Sequence, residues 1–369
     1  MIRPVTTLVE RPRRVGVPFI LAEVLLVVAI PVLALFGVDA LLDSRAGIFV
    51  DEPQAGDPGY RALVDASPVT AVVEITDQRL TGIALLAQPG EQQLGGSALL
   101  VPGELQLEGV PLGSLSVADA VAALEKGLRL RITRVETVDE ARWAALFSDT
   151  VYTIDNPDPV VSADGSTVFG VGAQPIGGDA VGLLLGLSVA DADPRSLLVR
   201  RHRVWESILD EPPTSADQIA GLMTAISGGP HRVTELAMLA TPDDELAGGV
   251  RLTIDPEQVE AQINEAVPFP SGAFPGDRLR VRVIDQVGDG DLLAVAADLG
   301  RSGYEVAEIG AAAFPVDSAD AVMTVLVPLD VDDERIAQLA AALGAATMVS
   351  NETDADGVVT LLLGTPVGG

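Results

Sequence analysis

The sequence predicts an α/β (α+β) protein behind an N-terminal transmembrane helix, and three observations carry that prediction. A 24-residue run near the N-terminus holds a single ionisable residue. Over the rest of the chain, short β-branched segments alternate with amphipathic helical ones. A Pro/Gly-rich break then divides those segments into a larger and a smaller unit.

The run Val15 to Val38, VGVPFILAEVLLVVAIPVLALFGV, contains one charge, Glu23. As a helix it spans roughly 36 Å, enough to cross a hydrocarbon core of about 30 Å with some tilt. Residues 1–14 carry Arg3, Arg11, Arg13 and Arg14 against Glu10, whereas Asp39, Asp43, Asp51 and Glu52 follow the run. The positive-inside rule therefore makes 1–14 a cytoplasmic arm and puts the remaining chain outside. A cleaved signal peptide, with Val38-Asp39-Ala40 as a small-x-small site, is the rival reading. The run exceeds the usual apolar region of about 7–15 residues, which favours the anchor. Glu23 suits a contact with a partner helix, because a carboxylate in hydrocarbon must be protonated or paired.

Of 369 residues, 53 are acidic and 23 basic, a net charge of −30. The arm contributes +3, so the chain from Val15 onward carries −33. That charge repels nucleic acid and excludes it as a general partner. Without cysteine there is neither a disulfide nor a thiolate nucleophile or metal site.

Residues 39–67 are rich in Asp, Gly and Pro and read as a juxtamembrane linker. Residues 68–268 then form the larger unit. Val69–Ile75, Gly82–Ala87 and Gly96–Val101 read as short apolar strands separated by turns. Val117–Gly127 has helical spacing, with Ser116 as N-cap. Leu128–Val135 (LRLRITRV) alternates and predicts a strand with one wet face. Asp139–Phe147 predicts a helix opened by acidic residues, and Val151–Ile154 a strand. Helices are expected over Gly177–Leu187, Arg195–Leu209, Ser215–Ser227 and Pro256–Ala266, with a strand, turn and strand over Met238–Leu252. Residues 269–276 (FPSGAFPG) read as a linker. In residues 277–369, strands Arg278–Ile284, Tyr304–Ile309, Ala321–Val327, Ala346–Ser350 and Val358–Leu363 alternate with helices Leu292–Ser302 and Asp332–Leu343. That pattern predicts one sheet covered by two helices.

The smaller unit resembles the LytR C-terminal domain of the LytR-CpsA-Psr (LCP) envelope family. The resemblance rests on LRVRVIDQVGDGDLLAVAADLGRSGYEVAEI (Leu279 to Ile309), on the helix ending LAAALG (Leu339 to Gly344), and on LLLG (Leu361 to Gly364). Where that domain has an Asn-Gly turn, this chain has Asp285-Gln286-Val287-Gly288. Residues 68–209 are similar to the LCP catalytic domain in the order of their elements, which implies a mixed-sheet domain flanked by helices. In that family, an RxDT stretch, an IPRD-like turn, an R-x-R pair and a late-helix arginine hold a polyprenyl pyrophosphate and Mg²⁺. Here Arg79-Leu80-Thr81 stands at the first place, and Val101-Pro102-Gly103-Glu104 at the second. Leu183-Leu184-Leu185 stands at the third, while Arg200 matches the late arginine and Asp193 the aspartate before it.

The resemblance thus leaves Arg79, Asp193 and Arg200 as ligand-binding residues and names no catalytic or metal-binding residue. Two alternatives stand beside it: Arg79 as a turn residue, and Arg195, Arg200, Arg201 and Arg203 as a solvated helix face. His202 and His231 lack further ligands at zinc spacing. Asp285, Asp289 and Asp291 lack calcium-loop spacing and read as a turn. The expectation is a single-pass envelope protein that binds or scaffolds during cell-wall polymer assembly, without turnover and with no cofactor. Its implied partners are the membrane through the N-terminal helix, a polyprenyl phosphate or wall glycopolymer, and other envelope proteins. The enzyme alternative is an LCP phosphotransferase that uses Mg²⁺ to move a polyprenyl-pyrophosphate-linked glycopolymer to peptidoglycan. A sensory or structural partner of other membrane proteins is a third reading.

Overall fold

A computed structural model describes residues 57–366 except 91–92, 149, 162–164, 187–193, 244–249, 289, 319, 330, 332 and 351–357. The expected arm, the membrane helix, the linker up to residue 56 and Asp193 lie outside the described residues. Among the described residues no helix is long and apolar enough to cross a membrane.

A short strand, β1 (Arg61–Leu63), precedes the central sheet. That sheet is built from β2 (Val69–Thr76), β3 (Arg79–Ala87), β4 (Gly96–Pro102), β5 (Arg134–Val138) and β6 (His231–Glu235), in the order β6-β4-β3-β2-β5. β2, β3 and β4 are antiparallel neighbours, whereas β5 and β6 join the two edges in parallel. Asp77 and Gln78 both take left-handed φ angles, 50° and 62°, the conformation of a tight two-residue hairpin turn between β2 and β3.

Helix α1 (Val117–Leu128) starts where the Ser116 hydroxyl accepts a bond from the Asp119 amide, and stops at Arg129, whose φ is 51°. The alternation read over 128–135 therefore does not make a strand from Leu128. Leu124 and Leu128 continue the buried face of α1, and β5 begins only at Arg134. Helices α2 (Glu140–Leu146), α3 (Gly178–Gly186), α4 (Pro194–Asp210) and α5 (Gln218–Ser227) cover one face of the sheet, and α6 (Val259–Ala266) joins α1 on the other. Strand β6 offers no apolar pattern to read, because four of its five residues (HRVTE) are polar or charged. Trp143, Phe147 and Trp205 dominate the core under α2 and α4, with Trp143 stacked on Phe147 at 5.5 Å. On the opposite face, Ala71, Val73 and Leu85 share a second core with Leu124 and Ile263.

The smaller unit has β7 (Arg280–Asp285), α7 (Leu292–Arg301), β8 (Glu305–Ala311), β9 (Thr324–Pro328), α8 (Glu334–Leu343), β10 (Ala346–Ser350) and β11 (Val359–Leu363). Its sheet runs β1-β8-β7-β11-β9-β10. Residues 61–63, inside the stretch read as linker, thus supply an edge strand, with Arg61 opposite Gly310. A Cβ at Gly310 would come within 2.5 Å of the Tyr60 carbonyl oxygen, so glycine is what lets the two backbones approach. The Asp285 carboxylate accepts the amides of Val287 and Gly290 at 2.8 and 2.7 Å, which closes a turn.

Both sheets belong to one compact unit. Within residues 269–276, the Ser271 carbonyl accepts the Arg131 amide and the Glu305 carboxylate accepts the Gly272 amide, while Phe274, Pro275 and Gly276 are exposed. Buried Arg278 donates to Asn264 Oδ1 at 2.8 Å and to the Gly303 carbonyl at 3.1 Å, bonding α6 to the smaller unit. Desolvation lowers its pKa.

Candidate functional site

Alternation along β2 aims Thr70, Val72, Glu74 and Thr76 at the face covered by α2–α5. On β3 the same face carries Gly82, Ala84 and Leu86, with Glu74 opposite Gly82 and Thr70 opposite Leu86. A carboxylate in that position enters an apolar layer and needs a partner there.

Helix α4 provides the partner. Leu197, Arg201, Val204, Trp205 and Ile208 recur at i, i+4, i+7, i+8 and i+11, all buried. The Arg201 guanidinium donates to Glu74 Oε2 and to the Thr81 carbonyl, and Trp205 Nε1 donates to Glu74 Oε1 at 2.9 Å. Both charged side chains are 1% exposed. Gly82 makes the geometry possible, since a Cβ there would lie 1.2 Å from an Arg201 guanidinium nitrogen. The sequence patterns do not single out Glu74. Its one signal there is a lone carboxylate inside the β-branched run VTAVVEIT.

The arginines of α4 do not form one solvated face. Arg203 is exposed and pairs with Glu206 at 3.0 Å, whereas Arg200 is 5% exposed. Burial, and next the charge of Arg201, push the Arg200 pKa down to about 10; Asp158 and Glu104 act in the opposite sense. Arg200 therefore stays charged at neutral pH. Asp158 stands in a turn pinned by Asn156 Nδ2, which donates to the carbonyls of Asp158 and Gly170.

Arg79 is exposed at the start of β3, beside the hairpin turn. The Thr81 hydroxyl is engaged with the Glu74 carbonyl at 3.3 Å. A Cβ at Gly103 would meet the Leu80 carbonyl oxygen at 2.7 Å, so this turn has no room for an arginine. Leu184 and Leu185 are core residues, and Leu183 packs against them. Helix α3 approaches closely through glycines: a Cβ at Gly186 would fall 1.9 Å from Thr76 Oγ1. Among the described residues no three His, Asp or Glu side chains gather to hold a metal ion. The Mg²⁺ implied by the family resemblance does not fit here, because Thr81 has no carboxylate and Glu74 is already bonded to Arg201 and Trp205.

Fold and site together describe a mixed-sheet α/β domain with helices on both faces and a buried ion pair at one end of its central hairpin. No family model matches the chain, and no curated protein matches it either. Among solved structures it is similar to a LytR-Csp2A-Psr enzyme from Actinomyces oris, with 18% identity over 57% of this chain and 93% of that one and a TM-score of 0.42. It is also similar to TagT of B. subtilis, with 15% identity over 59% of this chain and 93% of that one and a TM-score of 0.40. A third structure is the LytR-CPS2A-psr family protein TagT with bound octaprenyl pyrophosphate lipid, at 14% identity over 59% and 92% of the two chains and a TM-score of 0.37. These are distant likenesses.

Proposed function

We infer that the chain is a membrane-anchored, extracytoplasmic LCP-like protein that serves in cell-envelope polymer assembly by binding or scaffolding, without catalysis. The observation that carries this reading is the closed cluster of Glu74, Arg201 and Trp205. Transfer of a phosphoryl group between a lipid pyrophosphate and a glycan needs convergent cations and a metal carboxylate that are free to meet the substrate. Here the charge of Arg201 is neutralised from inside the protein, and Gly103 and Leu183 to Leu185 supply no cation. Losing one preorganised group of this kind costs about 3–4 kcal/mol of barrier, or roughly 10²–10³ in rate. Arg200 is the buried cation assigned to an anionic ligand, with Arg79 and Asp193 completing the contact set inferred from the family resemblance. The C-terminal unit is assigned as a LytR-type module on its sequence pattern. The partners are the membrane, a polyprenyl phosphate or wall glycopolymer, and envelope proteins.

Arg200 beside Arg201 also favours the alternative, an active LCP phosphotransferase. One experiment separates the two. The purified chain is offered a polyprenyl-pyrophosphate-linked glycan with and without Mg²⁺, and lipid binding is measured by calorimetry. We expect no transfer, and binding weakened when Arg200→Met is combined with Arg79→Ala. Metal-dependent turnover that disappears in Arg200→Met would reverse the conclusion.

A further inference from the structure

A cleft of about 1350 Å³ opens at the other end of the face that carries Glu74. It lies where β2 begins and β3 ends, with α5 on one side and residues from β1 and the smaller unit on the other. Two nearly buried polar side chains line it, Thr70 at 6% exposure and Gln88 at 8%. Neither side chain makes a hydrogen bond to the protein among the described residues. Their neighbours behave differently. The Thr133 hydroxyl both donates to the Val69 carbonyl and accepts the Val69 amide. The Ser67 hydroxyl donates to the Pro89 carbonyl and accepts the Phe269 amide. The polar atoms of Thr70 and Gln88 are not sealed from solvent, so water in the cleft meets them until a ligand takes its place. Two polar side chains held at the wall of one cleft and not used by the protein itself suit a ligand that brings its own donors and acceptors.

The lining selects the chemistry of that ligand. Among the described residues that form it, only Asp65 and Arg134 are charged, and with opposite signs. Arg134 is already bonded to Glu136 at 2.9 Å and to Gln218 Oε1, which leaves the Gln218 amide group as a donor. In a chain of net charge −30, a cleft with balanced charge suits an uncharged ligand. Gln88, Gln93, Gln218 and Thr70 offer donors and acceptors, while Tyr60 and Phe269 offer half-buried rings. A lipid tail would satisfy none of the amides, and a phosphate would find no net positive charge. We propose that this cleft binds a neutral oligosaccharide, remote from the arginines of α4. The choice of a sugar over other neutral polar molecules rests on the envelope reading above.

The test is calorimetric titration of the full chain, held in a polyoxyethylene detergent so that no sugar headgroup competes. The probes are chitotetraose, maltotetraose and an uncharged Gly/Ser decapeptide. At least one tetrasaccharide should bind, with affinity reduced tenfold or more by Thr70→Val combined with Gln88→Leu and unchanged by Arg200→Met. Failure of both tetrasaccharides to bind, meaning that the cleft holds only water, overturns the proposal; so does unchanged affinity in the double variant, or binding of the decapeptide alone. If the double variant melts early, Gln93→Ala with Gln218→Ala replaces it, both positions being exposed, and the same tenfold criterion decides. Sugar binding that survives Arg200→Met while lipid binding fails would separate this site from the function proposed above.

Discussion

Glu74 and Arg201 show how one apolar-looking strand can hide a charge. The pair is out of water, so its attraction must offset two desolvation penalties, and the bond from Trp205 helps to do so. Removing one partner is more damaging than removing both. We expect Glu74→Gln to cost about 3–5 kcal/mol by leaving Arg201 without a counter-charge, and Glu74→Leu with Arg201→Met to recover most of that loss. Urea unfolding followed by tryptophan fluorescence checks both, and equal costs for the single and double variants would contradict the account. The arginine cluster on α4 is legible in the sequence, but its division between core and surface is not drawn there. Arg200 and Arg201 differ by about 100° around the helix. The spacing from Leu197 to Ile208 contains the answer, because it places Arg201 on the buried stripe.

Among the helices and turns, caps follow local chemistry closely. Ser116, Asp139, Asp217, Asp291 and Asp333 each accept a backbone amide at the start of a helix. Asp333 has a second task. It bonds Arg335, whose guanidinium in turn holds the carbonyls of Gly276 and Asp277 at 3.0 Å. The Arg335 bond lowers the Asp333 pKa below its usual 3.8. Stability from this carboxylate is therefore complete above pH 3.8 and disappears as pH falls through the lowered value. We expect Asp333→Ala to cost about 1 kcal/mol at pH 7 and progressively less in acid. Denaturant midpoints of both proteins across that range test it, and a difference that is constant with pH would exclude the ionised cap. The failure at Leu128 has the same local origin. Alternation and an i, i+4 pair overlap in LEKGLRLRIT, and packing of Leu124 and Leu128 on the sheet resolves them in favour of the helix.

Over the full chain, the charge asymmetry around Val15–Val38 argues for a cytoplasmic N-terminus and extracytoplasmic modules. A reporter fused after Gly369 should be active only outside the cytoplasm, and activity restricted to the cytoplasm would reverse the orientation. The two sheets are more closely joined than a Pro/Gly-rich break suggests. Arg129 and Arg335 donate to the Asp277 carbonyl, and Arg278 is buried between α6 and Gly303.

Most strands and helices of both units are legible in the residues themselves, since period, β-branching and capping act within a few positions of the chain. The same residues limit the chemistry, because a chain without cysteine has no thiolate to offer however it folds. Long-range packing was needed to show that Arg61–Leu63 pairs with β8, that β6 joins β4, that Arg201 is bonded to Glu74, and that Thr70 and Gln88 open on one cleft. The β1–β8 pairing depends on backbone approach at Gly310, and the Arg201–Glu74 bond on the room left by Gly82 and on desolvation, which no local pattern encodes.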